Sequence, residues 1–211
     1  MPDINVTTTE LDAILPPDLP NRERIVSAAA RHLQRVAEVN EVMNLTRILT
    51  PRDAAIKHIL DSLLPWKLFA GAKTVLDAGT GPGFPGLPLA LALPDTRFTL
   101  AESTVKKARF VESVIADLEI PNARVLSERV EEIGRRDHYE IVTARAFAPI
   151  PKALKMLAPL LKKGTRALLY KGPDVEAEIA EARTPGLKIE ILMRYDLPDG
   201  LGARTIVQIA R

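Results

Sequence analysis

The 211-residue sequence contains no cysteine and no long apolar run. Without cysteine the chain cannot form disulfides, thiolate zinc sites or thiol nucleophiles. No apolar stretch reaches the roughly 20 residues of a membrane-spanning helix, and residues 1–6 do not have the pattern of a signal peptide. We therefore expect a cytoplasmic protein that does not bind membranes. We also expect a monomer.

The net charge is also small, at +2, and does not by itself indicate a nucleic-acid partner. Acidic side chains outnumber basic ones in residues 1–50, whereas basic ones predominate in residues 151–211. Any surface that attracts a polyanion should therefore lie on the C-terminal half. Ordinary solvated surface charge explains the counts equally well.

The composition, 46% hydrophobic and 27% charged, is typical of a globular domain. Four prolines and little periodicity in residues 1–20 predict a loose leader. Apolar residues at three- and four-residue intervals then predict helices over 21–44 and about 52–64. We expect residues 21–70 to form a helical extension and residues 71–211 to form the main domain.

Strands alternate with helices from residue 74 onward, which predicts an α/β fold with a mostly parallel sheet. The last two strands are only about eight residues apart, so they should pair antiparallel, because a parallel pair needs a longer crossover. Seven strands are expected, at 74–76, 97–102, 124–127, 139–144, 165–171, 187–195 and 204–210. Helices are expected at about 104–118, 151–161 and 174–183.

A glycine-rich loop follows the first of these strands. Glycine permits a sharp bend and a close approach of ligand to backbone. One pattern in the loop, G-x-G-x-x-G, is the dinucleotide fingerprint, with Glu102 at a fitting distance downstream. A second pattern, D-x-G-x-G-x-G, resembles the first motif of class I S-adenosylmethionine-dependent methyltransferases, and we favour it over the first. The second pattern consists of Asp77, Gly79, Gly81 and Gly83.

Acidic residues follow the second and third predicted strands. Glu102 can accept hydrogen bonds from both ribose hydroxyls of a cofactor, or it can be a solvated charge at a strand end. Arg129, Val130 and Glu131 come where this fold usually holds the adenine, although a plain surface loop is an equal alternative. Cysteine-dependent methylation of pyrimidine C5 is excluded by the composition.

Basic residues follow later strands. Arg145 follows the fourth predicted strand and can contact a base or a phosphate, or form a structural salt bridge. Lys171 and Arg204 are expected at the same rim, as phosphate contacts or as plain surface. His58, Asp61 and Ser62 share one helical face, which either faces a ligand or packs on the domain. A single histidine gives no metal site, and we expect none.

Taken together, the motifs resemble those of the bacterial ribosomal RNA small-subunit methyltransferase G family, also called glucose-inhibited division protein B. The combination of G-P-G-x-P-G with Arg-Ala-Phe is far more specific than the glycines alone. The motifs occur in the family's order from about residue 25 to the C-terminus. They are Asn44–Thr46, His58–Ser62, Asp77–Gly86, Arg129–Glu132, Arg145–Phe147, Lys171–Gly172 and Gly202–Arg204.

The resemblance implies transfer of a methyl group from S-adenosylmethionine to N7 of a guanine in 16S rRNA, with the small ribosomal subunit as partner. It implies that Arg145 and Lys171 position the substrate without a general base. It also implies cofactor contacts at Asp77, Gly79, Gly81, Gly83, Phe84, Glu102, Val130, Glu131 and Arg145, and RNA contacts at Asn44, His58, Arg129 and Arg204.

The sequence departs from the family at Val39 and Met43, where aromatics are frequent, and at Glu102, where Asp is frequent. We expect these changes to affect packing and reach rather than the reaction. Three alternatives stay open on the sequence: a small-molecule methyltransferase, a nicotinamide-dependent oxidoreductase and a non-catalytic RNA-binding module.

Overall fold

A computed structural model describes residues 7–48, 50–182 and 185–211. Its centre is a seven-stranded sheet with the order β3-β2-β1-β4-β5-β7-β6. All neighbours pair parallel except β7, which is antiparallel to both β5 and β6. The predicted α/β class with an antiparallel last strand is therefore confirmed. The strands are β1 (Thr74–Ala78), β2 (Arg97–Ala101), β3 (Ala123–Leu126), β4 (Ile141–Arg145), β5 (Arg166–Lys171), β6 (Lys188–Asp196) and β7 (Ala203–Ala210).

Helices cover both faces of the sheet. The first part of the chain forms α1 (Thr8–Ile14), α2 (Arg22–Met43), α3 (Pro51–Ala54), a π-helical turn (Ala55–Leu60), α4 (Asp61–Leu63) and a 3-10 turn (Trp66–Leu68). The main domain adds α5 (Gly86–Ala92), α6 (Val105–Asp117), α7 (Val130–Arg136), α8 (Ile150–Lys162), α9 (Val175–Glu181) and a 3-10 turn (Pro198–Gly200). No described helix is long and apolar enough to cross a membrane.

The core is divided by the sheet into two apolar clusters. On one face, Leu33 and Leu63 of the N-terminal helices pack in one cluster with Leu89 of α5 and Val111 of α6. On the other face the cluster is built from α7, α8 and α9. The N-terminal helices therefore share a core with the sheet. Each fully buried leucine of this core stabilises the fold by about 1.5–3 kcal/mol.

Residues 7–20 differ from the predicted loose leader. Thr7 caps α1 by accepting a hydrogen bond from the Glu10 N–H at 3.1 Å. Leu11, Leu15 and Leu19 are all buried, although the prolines around them suggest a loop. Their burial outweighs the local signal, because propensity is only a weak prior against tertiary packing. Residues 1–6 of the predicted leader lie outside the described residues.

The predicted helix over 52–64 contains an irregular turn. The Asp61 N–H donates to the Ile56 carbonyl, five residues back, instead of to Lys57 four residues back. Such π-helical turns are frequent at functional sites. This turn leaves the Lys57 carbonyl without its helical donor, so that the carbonyl can accept a hydrogen bond from Arg145.

Candidate active site

Asp77 holds the glycine loop between β1 and α5. Its Oδ2 accepts hydrogen bonds from the Thr80 hydroxyl at 2.6 Å and from the Gly86 N–H at 2.9 Å. A Cβ on Gly86 would lie 2.7 Å from that same oxygen, and a Cβ on Gly83 would lie 2.7 Å from Leu87 Cδ1. Close packing against Asp77 therefore favours glycine at position 86, and a positive φ of 105° favours it at position 83. Asp77 fixes the loop through its hydrogen bonds.

The Asp77 carboxylate is fully buried, and burial raises its pKa to about 6. Its Oδ1 has no hydrogen-bond partner in the described part of the chain. Between about pH 4 and pH 6 the folded protein holds a proton that the unfolded chain has released. The contribution of Asp77 to the free energy of unfolding should therefore fall as pH rises through that window and stay level above it.

We predict that Asp77→Asn removes this pH dependence. Relative to the wild type, the variant should gain about 3 kcal/mol between the two ends of the window, because one pKa unit corresponds to about 1.4 kcal/mol. Urea unfolding at half-unit steps of pH measures the difference. Parallel pH profiles for the two proteins would show that Asp77 does not titrate there.

A small cavity of about 70 Å³ opens beside the glycine loop, at the carboxyl ends of β1, β2 and β3. Glu102 borders it, and its Oε1 accepts a hydrogen bond from the Thr104 N–H at 2.8 Å. Glu131 also borders it, with Oε2 buried and unpaired among the described atoms. Both side chains are hydrogen-bond acceptors when ionised. The expected cofactor fits them, because its adenosine carries donors on the ribose hydroxyls and the adenine amino group.

A larger cleft of about 580 Å³ lies along the same edge of the sheet. Gly79 lines both cavities, and a Cβ placed on it would lie 3.1 Å from the Phe147 ring. The N-terminal segment and the main domain both contribute to its walls. Its polar or charged side chains are Thr46, Arg47, Lys57, His58, Asp61, Thr80, Arg145, Tyr170, Lys171 and Arg204.

Arg145, at the end of β4, joins the helical extension to the sheet. Its Nη1 donates to the Lys57 carbonyl at 2.7 Å and to Asp61 Oδ2 at 3.2 Å. The first of these bonds exists because the π-helical turn frees that carbonyl. The side chain is only 14% exposed. The structural salt bridge foreseen for Arg145 is therefore present, alongside a position in the cleft wall.

An aromatic stack forms the floor beneath Arg145. The Phe84 ring lies between His32 and His58, with centroid distances of 4.5 and 4.6 Å, and the Arg145 guanidinium carbon is 5.6 Å from the Phe84 centroid. Burial lowers the pKa of His32 to about 4. Burial, followed by the charge of Arg145, lowers the pKa of His58 well below its ordinary value. Both histidines are neutral at physiological pH, and the stack is uncharged.

Lys171 fixes the loop after β4. Its Nζ donates to the Ala148 carbonyl at 3.0 Å and lies 2.6 Å from Glu178 Oε2, which also accepts from the Ile150 N–H at 2.7 Å. Its charge is therefore already paired where the sequence suggested contact with substrate. Asp61 receives further contacts from Tyr195 Oη at 2.9 Å and from Arg204 Nε at 3.5 Å.

The structure brings most of the expected residues to the two cavities. Gly79, Glu102, Arg129, Val130 and Glu131 line the smaller one. Gly79, Gly81, Phe84, His58, Arg145, Lys171 and Arg204 line the larger one. Asp77, Gly83 and Asn44 line neither.

Asn44 is an exposed residue in a left-handed conformation that ends α2, and its N–H donates to the Asn40 carbonyl at 2.9 Å. Several site residues were not identified from the sequence, Tyr170 of the cleft wall among them. The others include His32, whose burial has no sequence signal, and the cleft residues Arg47 and Lys57. No group of three or more His, Asp or Glu side chains suited to a metal ion occurs among the described residues.

The fold and the paired cavities define a class I S-adenosylmethionine-dependent methyltransferase. A solved O-methyltransferase from Bacillus cereus, in complex with SAH, has this fold with a TM-score of 0.60 at 17% identity, over 100% of both chains. The YcgJ protein from Bacillus subtilis aligns with a TM-score of 0.55 at 14% identity, over 72% of this chain and 97% of that chain. At these identities the likeness concerns the fold.

Sequence comparison identifies the family within this class. The family model of rRNA small subunit methyltransferase G matches residues 25–192. The relative in Solibacter usitatus, ribosomal RNA small subunit methyltransferase G, is 57% identical over 95% of this chain and 97% of its own length. One in Desulfitobacterium hafniense is 35% identical over 85% of this chain and 78% of its own. The chain belongs to the rRNA small subunit methyltransferase G family.

The position of Glu102 gives a prediction for cofactor affinity. Glu102→Gln should weaken S-adenosylhomocysteine binding about tenfold, because hydrogen bonds to a charged group are worth about 1.5–3 kcal/mol and the amide keeps only the neutral acceptor. Isothermal calorimetry measures the change. Glu112→Gln, on the exposed face of α6, is the matched control and should bind like the wild type. Equal affinity of the Glu102 variant would remove that residue from the cofactor site.

Proposed function

We propose that this protein transfers the methyl group of S-adenosylmethionine to N7 of a guanine in 16S rRNA. The observation that carries the proposal is the meeting of the two cavities at Gly79 in a chain of this family. The cofactor's adenosine would lie between Glu102 and Glu131, and its methyl group would point into the larger cleft. S-adenosylmethionine supplies an electrophilic methyl on a sulfonium.

The state of the cleft's titratable groups supports N7 as the acceptor. Among the described lining residues, His58 is buried and stacked, and its lowered pKa makes it a weak base. Asp61 is paired with two arginines and a tyrosine. Neither is free to remove a proton from a substrate. Guanine N7 carries a lone pair and loses no proton on methylation, so positioning is sufficient. Proximity and orientation alone can supply about 7–11 kcal/mol of the barrier.

The charge of the larger cleft supports RNA over a neutral small molecule. Its described basic side chains are Arg47, Lys57, Arg145, Lys171 and Arg204. Lys57 pairs with Asp53, Lys171 with Glu178, and Arg145 and Arg204 with Asp61, so among the described residues Arg47 is the basic side chain of the cleft that has no ion-pair partner. Phosphate contacts from Arg and Lys supply much of the affinity of nucleic-acid complexes. Arg47 is exposed and is the best placed side chain of the larger cleft to contact a phosphate. Arg129 is likewise exposed beside the smaller cavity.

The proposal gives the two segments of the chain separate tasks. Residues 71–211 would hold the cofactor through the glycine loop, Glu102 and Val130. The extension of residues 21–70 would form the RNA side of the cleft with Thr46, Arg47 and His58. The protein would act as a monomer in the cytoplasm on the small ribosomal subunit.

Transfer of a labelled methyl group from S-adenosylmethionine to unmodified small-subunit rRNA, free and in 30S subunits, tests the proposal. Label should appear in at least one of the two RNA preparations. S-adenosylhomocysteine binding without transfer to either RNA would leave the fold assignment intact and reject RNA as the substrate. A small-molecule acceptor would then be the remaining candidate.

A further inference from the structure

The hydroxyl of Thr46 is held at the wall of the larger cleft by two neighbours. His58 Nε2 lies 3.0 Å from Thr46 Oγ1, and the Ile48 N–H donates to the same oxygen at 3.0 Å. The backbone is fixed as well, because the Thr46 N–H donates to Asn40 Oδ1 at 2.8 Å. Thr46 is therefore a rigid part of the cleft wall.

The hydrogen-bond roles at His58 follow from its other nitrogen. Arg145 Nη2 lies 3.5 Å from His58 Nδ1, and a guanidinium can only donate. His58 Nδ1 is then the acceptor, and the ring proton of the neutral imidazole is on Nε2. That proton points to Thr46 Oγ1, so His58 donates to the hydroxyl.

Two donors therefore occupy both lone pairs of the Thr46 oxygen. A hydroxyl has one hydrogen and two acceptor positions, so this one can only donate. Its hydrogen has no acceptor among the residues that the structure describes, and the side chain lines the cleft. The cleft wall thus presents one fixed donor that cannot reverse its role.

We propose that Thr46 selects guanine by donating this hydrogen to O6 of the target base. The inference rests on the proposed function and adds a residue that reads the base. On the edge that carries N7, guanine presents two acceptors, N7 and O6, whereas adenine presents N7 and an amino donor. A hydroxyl that can only donate binds O6 and opposes the adenine amino group, so it selects guanine while N7 faces the methyl group.

The test uses an RNA assembled from synthetic fragments, with the target guanine located first in the wild-type product. In a second RNA that guanine is replaced by 2,6-diaminopurine, which keeps N7 and the 2-amino group but carries an amino group in place of O6. The wild type should lose at least about tenfold in kcat/KM on the second RNA, the effect of one lost hydrogen bond with an unpaired donor.

Thr46→Val keeps the shape of the side chain and removes the hydroxyl, and should reduce this preference for guanine to below about threefold. Thr46→Ser keeps the hydroxyl and should retain the wild-type ratio. Affinity for S-adenosylhomocysteine is measured on each variant to show that the fold is intact. A merely structural role would lower both rates together and leave the ratio unchanged.

The outcomes separate the two proposals. No 7-methylguanosine from the wild-type enzyme on either free or assembled RNA would reject the proposed function and the role of Thr46 with it. Formation of 7-methylguanosine with an unchanged guanine preference in Thr46→Val would reject the role of Thr46 alone. Equal wild-type rates on guanine and 2,6-diaminopurine would reject it whether or not the valine variant folds.

Discussion

Arg145→Ala is expected to lower kcat for RNA methylation about 100-fold while the protein stays folded at 25 °C. Arg145 connects β4 to the π-helical turn and lies over Phe84, so its loss would loosen the wall that is proposed to hold the target base. A displacement of about 1 Å in such a wall can lower the reaction rate about 100-fold. Single-turnover methyl transfer at saturating RNA measures the effect.

The same change should also reduce the free energy of unfolding, by about 3 kcal/mol. Asp61 is 1% exposed, and removal of one partner of a buried ion pair typically costs 3–5 kcal/mol. The lower end applies because Tyr195 and Arg204 still contact Asp61. Urea unfolding measures this loss separately from activity.

Two variants control for the effects of charge and of general surface changes. Arg145→Lys keeps the charge but lacks the planar fork that spans the Lys57 carbonyl and Asp61, and should restore activity only in part. Arg135→Ala removes an exposed arginine of α7 that pairs with Glu132, and should match the wild type. Full activity of Arg145→Ala on RNA would contradict the positioning role.

Gly86→Ala is expected to weaken S-adenosylhomocysteine binding by about 30-fold or more. The added Cβ would lie 2.7 Å from Asp77 Oδ2 and 3.0 Å from Leu100, and both partners are fully buried. Relief of that clash must move the carboxylate that holds the loop, and overpacking of this kind typically costs about 1–3 kcal/mol. Calorimetry with S-adenosylhomocysteine and urea unfolding measure the two effects.

Gly172→Ala is the matched control for the stability effect. Its added Cβ would meet no atom within 4 Å, so the free energy of unfolding should stay within about 0.5 kcal/mol of the wild type. If Gly86→Ala bound S-adenosylhomocysteine as tightly as the wild type, the loop held by Asp77 would not be the cofactor cradle.

The seven strands, their mostly parallel pairing and the antiparallel last strand could be foreseen because the relevant signals are local, whereas the order of the strands in the sheet was not predicted. Short β-branched strands, amphipathic helices and a connection too short for a crossover are all read within a few tens of residues. The extension is different. Leu11, Leu15 and Leu19 are buried by packing against distant elements, which outweighs the prolines near them. The π-helical turn has no composition that separates it from an ordinary helix.

The candidate site divides in the same way. The glycine loop and Glu102 are recognisable from a motif and a strand end, and both border the cavities. The partners of Arg145 cannot be recognised from the sequence, because Lys57 and Asp61 lie more than 80 residues away along the chain. The burial of His32 against Phe84 and the pairing of Lys171 with Glu178 likewise depend on tertiary contacts.

Identification of the methylated nucleoside tests the central claim most directly. Unmodified 16S rRNA and 30S subunits would be treated with methyl-labelled S-adenosylmethionine and the enzyme, digested to nucleosides and separated. We predict that the label elutes as 7-methylguanosine, because His58 and Asp61 of the described cleft wall are engaged in other contacts and N7 needs no general base. Label on an exocyclic amine, a ring carbon or a ribose hydroxyl would contradict that claim.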